Sequence, residues 1–145
     1  MIPEFRRDGK LPAGRHPTDW PEFEERFGQT PRRKQMLTGL RRATRLLKLA
    51  GCRLIYVDGS FATSKTEPGD FDACWDISGV KPDALPSIFF NFADGRAAQK
   101  AQFGGEFFPA QLPESRTGMD WLEFFQRDRE GKPKGIIALA LESVP

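Results

Sequence analysis

Histidine and cysteine are scarce in this chain. Of its 145 residues, one is a histidine, His16, and two are cysteines, Cys52 and Cys74. Two cysteines are too few for a disulfide framework or a four-ligand zinc site, and both lie in or beside apolar runs, so we expect buried free thiols. An activated cysteine or serine nucleophile needs a nearby base, and His16 lies in a proline-rich segment near the N-terminus. The composition therefore argues against thiol nucleophiles, serine–histidine triads and histidine-rich metal sites.

Long apolar runs are also absent. No segment approaches the ~20 residues that a helix needs to cross a bilayer. The first residues, Met1 to Arg7, lack the apolar core of a secretory signal, so we expect a cytoplasmic protein with no membrane partner. The length fits one domain over 1–145, and its first 19 residues, rich in proline, glycine and charge, are predicted to form an extended N-terminal arm.

Neither sign of charge dominates. The formal net charge is +2 at pH 7, which is too small to indicate nucleic-acid binding by itself. The local distribution is uneven, however, because seven basic residues and no acidic residue lie between Arg32 and Lys48. A solvated helix face is the simpler interpretation of this segment, and a surface that binds RNA is the alternative.

The apolar periodicity predicts a mixed fold. Helices are expected over 20–27, 31–50, 95–103 and 119–125, and strands over 54–57, 71–77, 105–109 and 136–141. This order of elements is typical of an α/β (α+β) domain in which helices pack against one mixed β-sheet.

Two short motifs in this pattern suggest phosphate and metal chemistry. The predicted strand 54–57 ends at Asp58-Gly59-Ser60, where glycine lets backbone N–H groups approach phosphate oxygens and serine adds a donor. About ten residues later, Asp70-Phe71-Asp72 opens the next strand. Residues two apart on a strand project to the same face, so both carboxylates can bind one cation while Phe71 enters the core.

This order of motifs resembles the nucleotidyltransferase superfamily built on the polymerase-beta-like palm. The wider chain, including Leu11-Pro12-x-Gly14, the segment 105–110 and the segment 125–136, is similar to small bacterial proteins with minimal nucleotidyltransferase-like domains. The resemblance implies a palm-like nucleotidyltransferase fold, a nucleoside triphosphate as substrate, and Mg²⁺ or Mn²⁺ as cofactor. It also implies a third carboxylate on a later strand.

The resemblance assigns a role to each motif. Gly59 and Ser60 position phosphates, whereas Asp70 and Asp72 bind the metal. Glu106, at the start of the predicted strand 105–109, is the choice for the third carboxylate, which helps to deprotonate the acceptor hydroxyl.

Three further residues have open assignments. Asp76 is the alternative third carboxylate because it shares a strand face with Asp70 and Asp72, although strand geometry places it ~13 Å from Asp72. Lys65, in the loop between the motifs, and Lys134, in a glycine-rich turn, are candidate phosphate contacts. A solvated loop and a hairpin turn with a surface lysine are the simpler interpretations of these two lysines.

The leading functional hypothesis is an enzyme that transfers a nucleoside monophosphate from a nucleoside triphosphate to a hydroxyl or phosphate acceptor. A protein side chain, a tRNA end and a small molecule are all open as acceptors, and the resemblance implies a toxin–antitoxin or defence module. The alternatives are a weakly active or inactive regulatory protein of the same fold, such as an antitoxin, and an RNA-binding module. A homodimer and a hetero-complex both remain open.

Overall fold

The computed structural model describes all 145 residues, and its centre is one five-stranded mixed sheet. The strands are β1 (Gly14–Thr18), β2 (Leu54–Asp58), β3 (Phe71–Trp75), β4 (Gly105–Pro109) and β5 (Gly135–Ala140). Their order across the sheet is β1-β5-β2-β3-β4. The outer pairs β1–β5 and β3–β4 are parallel, whereas β2 is antiparallel to both of its neighbours.

Four helices complete the mixed α+β fold that the sequence predicts. They are α1 (Trp20–Phe27), α2 (Pro31–Leu49), α3 (Ala93–Phe103) and α4 (Trp121–Phe124). None of them has the length and apolar character required to cross a membrane.

The helix starts of α1 and α2 follow from their capping residues. The Asp19 side chain accepts a hydrogen bond from the backbone N–H of Glu22, and the Thr30 hydroxyl accepts one from the N–H of Arg33. Each helix also has a proline in its first turn, where a backbone N–H would have no partner within the helix, so its absence costs nothing. These local signals explain why both starts are predicted correctly.

The two faces of the sheet bury different sets of side chains. Helices α1, α2 and α3 share the main core with Phe71, Ala73 and Trp75 of β3. The alternate residues of β3 point to the opposite face, as predicted, where Cys74 packs with Leu122 of α4 in a smaller cluster. The candidate site lies on this second face.

Both cysteines are buried free thiols, as predicted. Burial raises the pKa of Cys52 to about 11 and raises the pKa of Cys74 well above its ordinary value. Neither thiol is therefore ionised at neutral pH, which agrees with the exclusion of a cysteine nucleophile.

The predicted N-terminal arm over 1–19 needs a correction, because Gly14–Thr18 form the edge strand β1. Pro17 is compatible with this position, since an edge strand pairs on one side only. The partner strand β5 lies near the other end of the sequence, so no local pattern reveals the pairing.

Two other predicted elements differ from the structure by two residues at one end. Strand β3 ends at Trp75 rather than at residue 77, because the N–H of Ile77 donates to the side chain of Gln111 instead of to a neighbouring strand. Helix α4 is limited to Trp121–Phe124, shorter than the predicted 119–125.

Helix α3 also begins differently from the prediction. Its regular portion starts only after Arg96, because Asp94, Gly95 and Arg96 have left-handed backbone conformations with φ of 52°, 61° and 61°. The sequence shows a glycine here but no signal for three successive left-handed residues.

Helix α2 packs against the end of α3 at Gly39. A Cβ at this position would overlap the backbone carbonyl of Phe103. We expect Gly39→Ala to lower the free energy of unfolding by about 2 kcal/mol, because the overlap outweighs the better helix propensity of alanine. Urea denaturation checks this, with Gln35→Ala on the exposed face of the same helix as a control expected within about 0.5 kcal/mol of wild type. Equal stability of the two variants would contradict the packing argument.

Candidate metal centre

Three carboxylates converge at one end of the sheet. The strand register places Asp58 beside Asp72 and Asp72 beside Glu106, so these residues form a row across β2, β3 and β4 on the face opposite the main core. Asp70 immediately precedes β3. One oxygen each from Asp70, Asp72 and Glu106 lie within 4.8 Å of one another, and all three residues are half-buried. The structure thus brings together the three carboxylates that the sequence proposed as ligands, which we call the acidic triad.

The acidic triad fits a hard divalent cation. Carboxylate oxygens are the ligands that Mg²⁺ and Mn²⁺ prefer, and half-buried carboxylates leave room for water or phosphate oxygens to complete the coordination. The chain therefore offers a donor set suited to either ion.

The electrostatics of the triad favour a cation. Burial and, after it, the negative charges of Asp70, Glu106 and Asp58 raise the pKa of Asp72 to about 7. The site therefore holds more negative charge than its own surroundings neutralise, and a bound cation would stabilise the ionised form of Asp72.

A buried ion pair borders the triad. The Lys134 ammonium lies 2.9 Å from a carboxylate oxygen of Asp58, which is almost completely buried. Burial raises the pKa of Asp58, and the charge of Lys134 opposes that rise. The sequence interpretation assigned no role to Asp58, because its alignment with Asp72 depends on a strand register that no local pattern reveals.

Lys100 forms a second ion pair at the site, 3.0 Å from a carboxylate oxygen of Glu106. Lys100 is about half exposed, so this pair is accessible to solvent and weaker than a buried one. A cation that binds Glu106 must therefore displace the Lys100 ammonium, whose exposed side chain is free to adopt another conformation.

The Gly59–Ser60 turn lies directly against the triad. Gly59 has a φ of +83°, and a Cβ at this position would lie 3.1 Å from both the backbone nitrogen and a carboxylate oxygen of Asp72. The Ser60 hydroxyl donates to the backbone carbonyl of Asp70 at 3.2 Å. The conformation and the close approach both require glycine, so the two motifs form one continuous site.

Arg33 holds the loop that follows this turn. Its buried guanidinium donates to the backbone carbonyls of Phe61, Thr63 and Lys65, and also to that of Phe27 in α1. The prediction of a solvated basic face is therefore wrong for Arg33. Its spacing from Met36, Leu37 and Leu40 on the apolar stripe of α2 is a signal that could have shown this.

Three more basic residues of α2 also donate to backbone carbonyls. Arg32 reaches Pro68 and Gly69, whereas Arg45 and Lys48 reach the segment 142–145. Four of the seven basic residues thus attach α2 to neighbouring segments, and fewer cations remain for a nucleic-acid surface.

The remaining candidate residues lie outside the triad. Lys65 is exposed in its loop, so a phosphate contact by its side chain stays a prediction. Asp76 follows the far end of β3, where its carboxylate accepts hydrogen bonds from Ser78 and Gln111. Lys134, considered as a phosphate contact, is paired with Asp58.

A cavity of about 580 Å³ borders the triad at Asp70. It lies between α2 and the end of α3, and three of its lining residues are the cations Arg32, Arg42 and Lys100. Its volume and charge suit a small anionic ligand.

Fold and site together define a mixed α+β protein with a half-buried carboxylate triad beside a glycine–serine turn. A family model described as "Family of unknown function (DUF6932)" matches residues 3–140, and the chain belongs to this family. No curated protein and no solved structure matches the chain significantly.

The raised pKa of Asp72 has a measurable effect on stability. The folded carboxyl holds its proton up to about pH 7, whereas the unfolded one releases it near its ordinary value of 3.8, so rising pH favours the unfolded state between these limits. Compared with Asp72→Asn, which cannot ionise, wild type in EDTA should lose stability from pH 4 to pH 8, by up to about 3 kcal/mol. Urea denaturation at several pH values measures the difference. A constant difference between the two proteins would contradict the raised pKa.

Proposed function

We propose that this chain is a metal-dependent nucleotidyltransferase with the palm-like nucleotidyltransferase fold. It transfers a nucleoside monophosphate from a nucleoside triphosphate to a hydroxyl or phosphate acceptor and releases pyrophosphate. The observation that carries this proposal is the convergence of Asp70, Asp72 and Glu106 within 4.8 Å, directly against the Gly59–Ser60 turn.

The arrangement of strands supports the proposal. The glycine–serine turn leaves the end of β2, the Asp-x-Asp pair opens the antiparallel neighbour β3, and the third carboxylate lies on β4 beside it. Three adjacent strands thus contribute residues to one end of the sheet. In isolation each motif is common, but their placement in register is not.

The residues divide the chemistry between them. Asp70, Asp72 and Glu106 would hold Mg²⁺ or Mn²⁺, which when bound supplies charge neutralisation for the triphosphate and lowers the pKa of a coordinated hydroxyl. Gly59 and Ser60 present backbone N–H groups to phosphate oxygens. Glu106 has a second role as proton acceptor for the incoming hydroxyl, once Lys100 moves away from it.

The acceptor and the setting are further parts of the proposal. A tRNA end or a partner protein suits a small protein whose cationic cavity opens beside Asp70. A cytoplasmic protein in a toxin–antitoxin or defence module is the setting that the resemblance supports.

A second candidate function rests on the ion pair between Lys100 and Glu106. If this pair persists when nucleotide is bound, Glu106 cannot act as ligand or base. The chain would then bind a nucleoside triphosphate and regulate a partner without turnover.

Label transfer separates the two candidates. The protein is incubated with each of the four α-³²P-labelled nucleoside triphosphates, Mg²⁺ or Mn²⁺, and cellular RNA or lysate. The enzyme hypothesis predicts label on a macromolecule together with released pyrophosphate. Bound nucleotide without transfer supports the regulatory protein, and no nucleotide binding at all contradicts both.

Asp76→Asn is the matched control for this experiment. Asp76 lies close to Asp70 and Asp72 along the chain but outside the acidic triad, so its substitution should leave transfer within about twofold of wild type. A large loss in this variant would favour Asp76 over Glu106 as the third carboxylate.

A further inference from the structure

Arg96 stands out among the arginines of this chain because its side chain is packed but not hydrogen-bonded. Its Nε atom is buried and has no hydrogen-bond partner. Arg33, by contrast, donates to four backbone carbonyls. A buried donor without an acceptor costs free energy, so the arrangement of Arg96 requires an explanation.

Aromatic rings hold the Arg96 guanidinium in place. Its central carbon lies 3.9 Å from the ring centre of Phe108, 4.5 Å from that of Phe92 and 5.4 Å from that of Trp121. Stacking of this kind occupies the flat faces of the guanidinium, whereas its N–H donors lie in the plane. The rings therefore fix the group without supplying an acceptor in the plane of its N–H donors.

The backbone that carries Arg96 is strained. Asp94 and Arg96 have φ of 52° and 61°, a left-handed conformation that costs a non-glycine residue about 1–2 kcal/mol. Strain of this kind persists where the surrounding structure fixes it, and here it sets the side chain against the aromatic rings.

The position of Arg96 indicates which ligand it meets. Phe108 lies two residues after Glu106 on β4, so both side chains are on the face of the sheet that carries the acidic triad. The structure contains no ion pair between Arg96 and any carboxylate, although the charges of Glu106 and Asp72 act on it. A fixed guanidinium that has no carboxylate partner and lies on the face of the acidic triad has the planar geometry that pairs with a phosphate group.

We infer that Arg96 binds the phosphate chain of the nucleoside triphosphate held at the acidic triad. This inference rests on the proposed function for the identity of the ligand. It adds a phosphate-binding residue that lies in neither sequence motif and is separated from them by more than twenty positions along the chain.

Calorimetric titration of the Mn²⁺-loaded protein tests the inference. The probes are a non-hydrolysable nucleoside triphosphate, inorganic triphosphate, and a short single-stranded RNA without a 5′-triphosphate. Arg96→Met fills the space between the rings without a charge, and we expect it to weaken both triphosphate probes roughly 10- to 100-fold. Mn²⁺ binding in the absence of nucleotide should remain as tight as in wild type or become tighter, because a nearby positive charge is removed. If Arg96 had a purely structural role, Arg96→Met would weaken Mn²⁺ binding and triphosphate binding together.

Two further variants complete the experiment. Arg96→Lys keeps the charge but not the planar donors, so it should weaken triphosphate binding less than Arg96→Met does. It replaces Arg96→Met in the titrations if the methionine variant fails to fold. Arg129→Met, at an exposed position, should bind like wild type.

The inference is overturned if triphosphate affinity is unchanged in both Arg96 variants, if metal and triphosphate affinities fall together, or if only RNA binding changes. It is also overturned if wild type binds neither triphosphate probe. A wild type that binds triphosphate through Arg96 but transfers no label would refute the proposed enzyme and leave the role of Arg96 intact.

Discussion

Asp72→Asn is expected to lower the rate of nucleotide transfer at least ~1000-fold, because the variant loses a proposed metal ligand of the acidic triad. Stabilisation of several kcal/mol in the transition state is typical of such a metal site, and each 1.36 kcal/mol corresponds to a factor of ten in rate. The substitution preserves the shape of the side chain and removes only its charge. The assay is label transfer from the nucleoside triphosphate that wild type uses, with saturating Mn²⁺.

The same variant should fold at least as well as wild type. Asp72 lies among like charges, and neutral asparagine relieves their repulsion, so the loss of transfer should accompany an unchanged or higher free energy of unfolding in EDTA. Asp76→Asn is the control for both measurements. Transfer by Asp72→Asn at a rate near that of wild type would show that the triad is not the catalytic centre.

Arg33→Ala should lower the free energy of unfolding by about 3 kcal/mol. The variant leaves the carbonyls of Phe27 and Phe61 without their buried donor and removes the attachment of the loop that follows Ser60. Arg33→Lys should recover only part of the loss, because an ammonium cannot span carbonyls that a planar guanidinium reaches together. Urea denaturation measures both variants.

Lys34→Ala is the matched control for Arg33. Lys34 is the next residue of α2 and is exposed, so its substitution should change the free energy of unfolding by less than about 0.5 kcal/mol. If Arg33→Ala were as stable as Lys34→Ala, the buried guanidinium would not be what fixes the loop.

Local sequence signals predict much of this fold. Asp19 and Thr30 mark the starts of α1 and α2, and the alternation in Phe71-Asp72-Ala73-Cys74 identifies the two faces of β3. The candidate triad is also visible in part, because Asp70 and Asp72 are adjacent on one strand face. The choice of Glu106 needed a prediction of where a later strand begins, and β4 begins one residue before it.

The features that the sequence does not reveal depend on contacts between distant segments. Strand β1 forms because it pairs with β5, which lies near the other end of the chain. Asp58 lies beside Asp72 because of the register between β2 and β3. Arg33 has the same charge as its neighbours Arg32 and Lys34, and only its position on the apolar stripe of α2 marks it as buried. The left-handed backbone at Arg96 likewise has no marker except the adjacent Gly95.

The most direct test of the metal centre is the anomalous diffraction of Mn²⁺ in crystals grown with a non-hydrolysable nucleoside triphosphate. The proposed site predicts a strong anomalous peak about 2.0–2.4 Å from carboxylate oxygens of Asp70, Asp72 and Glu106, with phosphate density beside Gly59 and Ser60. Crystals of Asp72→Asn grown in the same way should lack the peak. Nucleotide density without a peak among these three carboxylates, with Lys100 still paired to Glu106, would contradict the account.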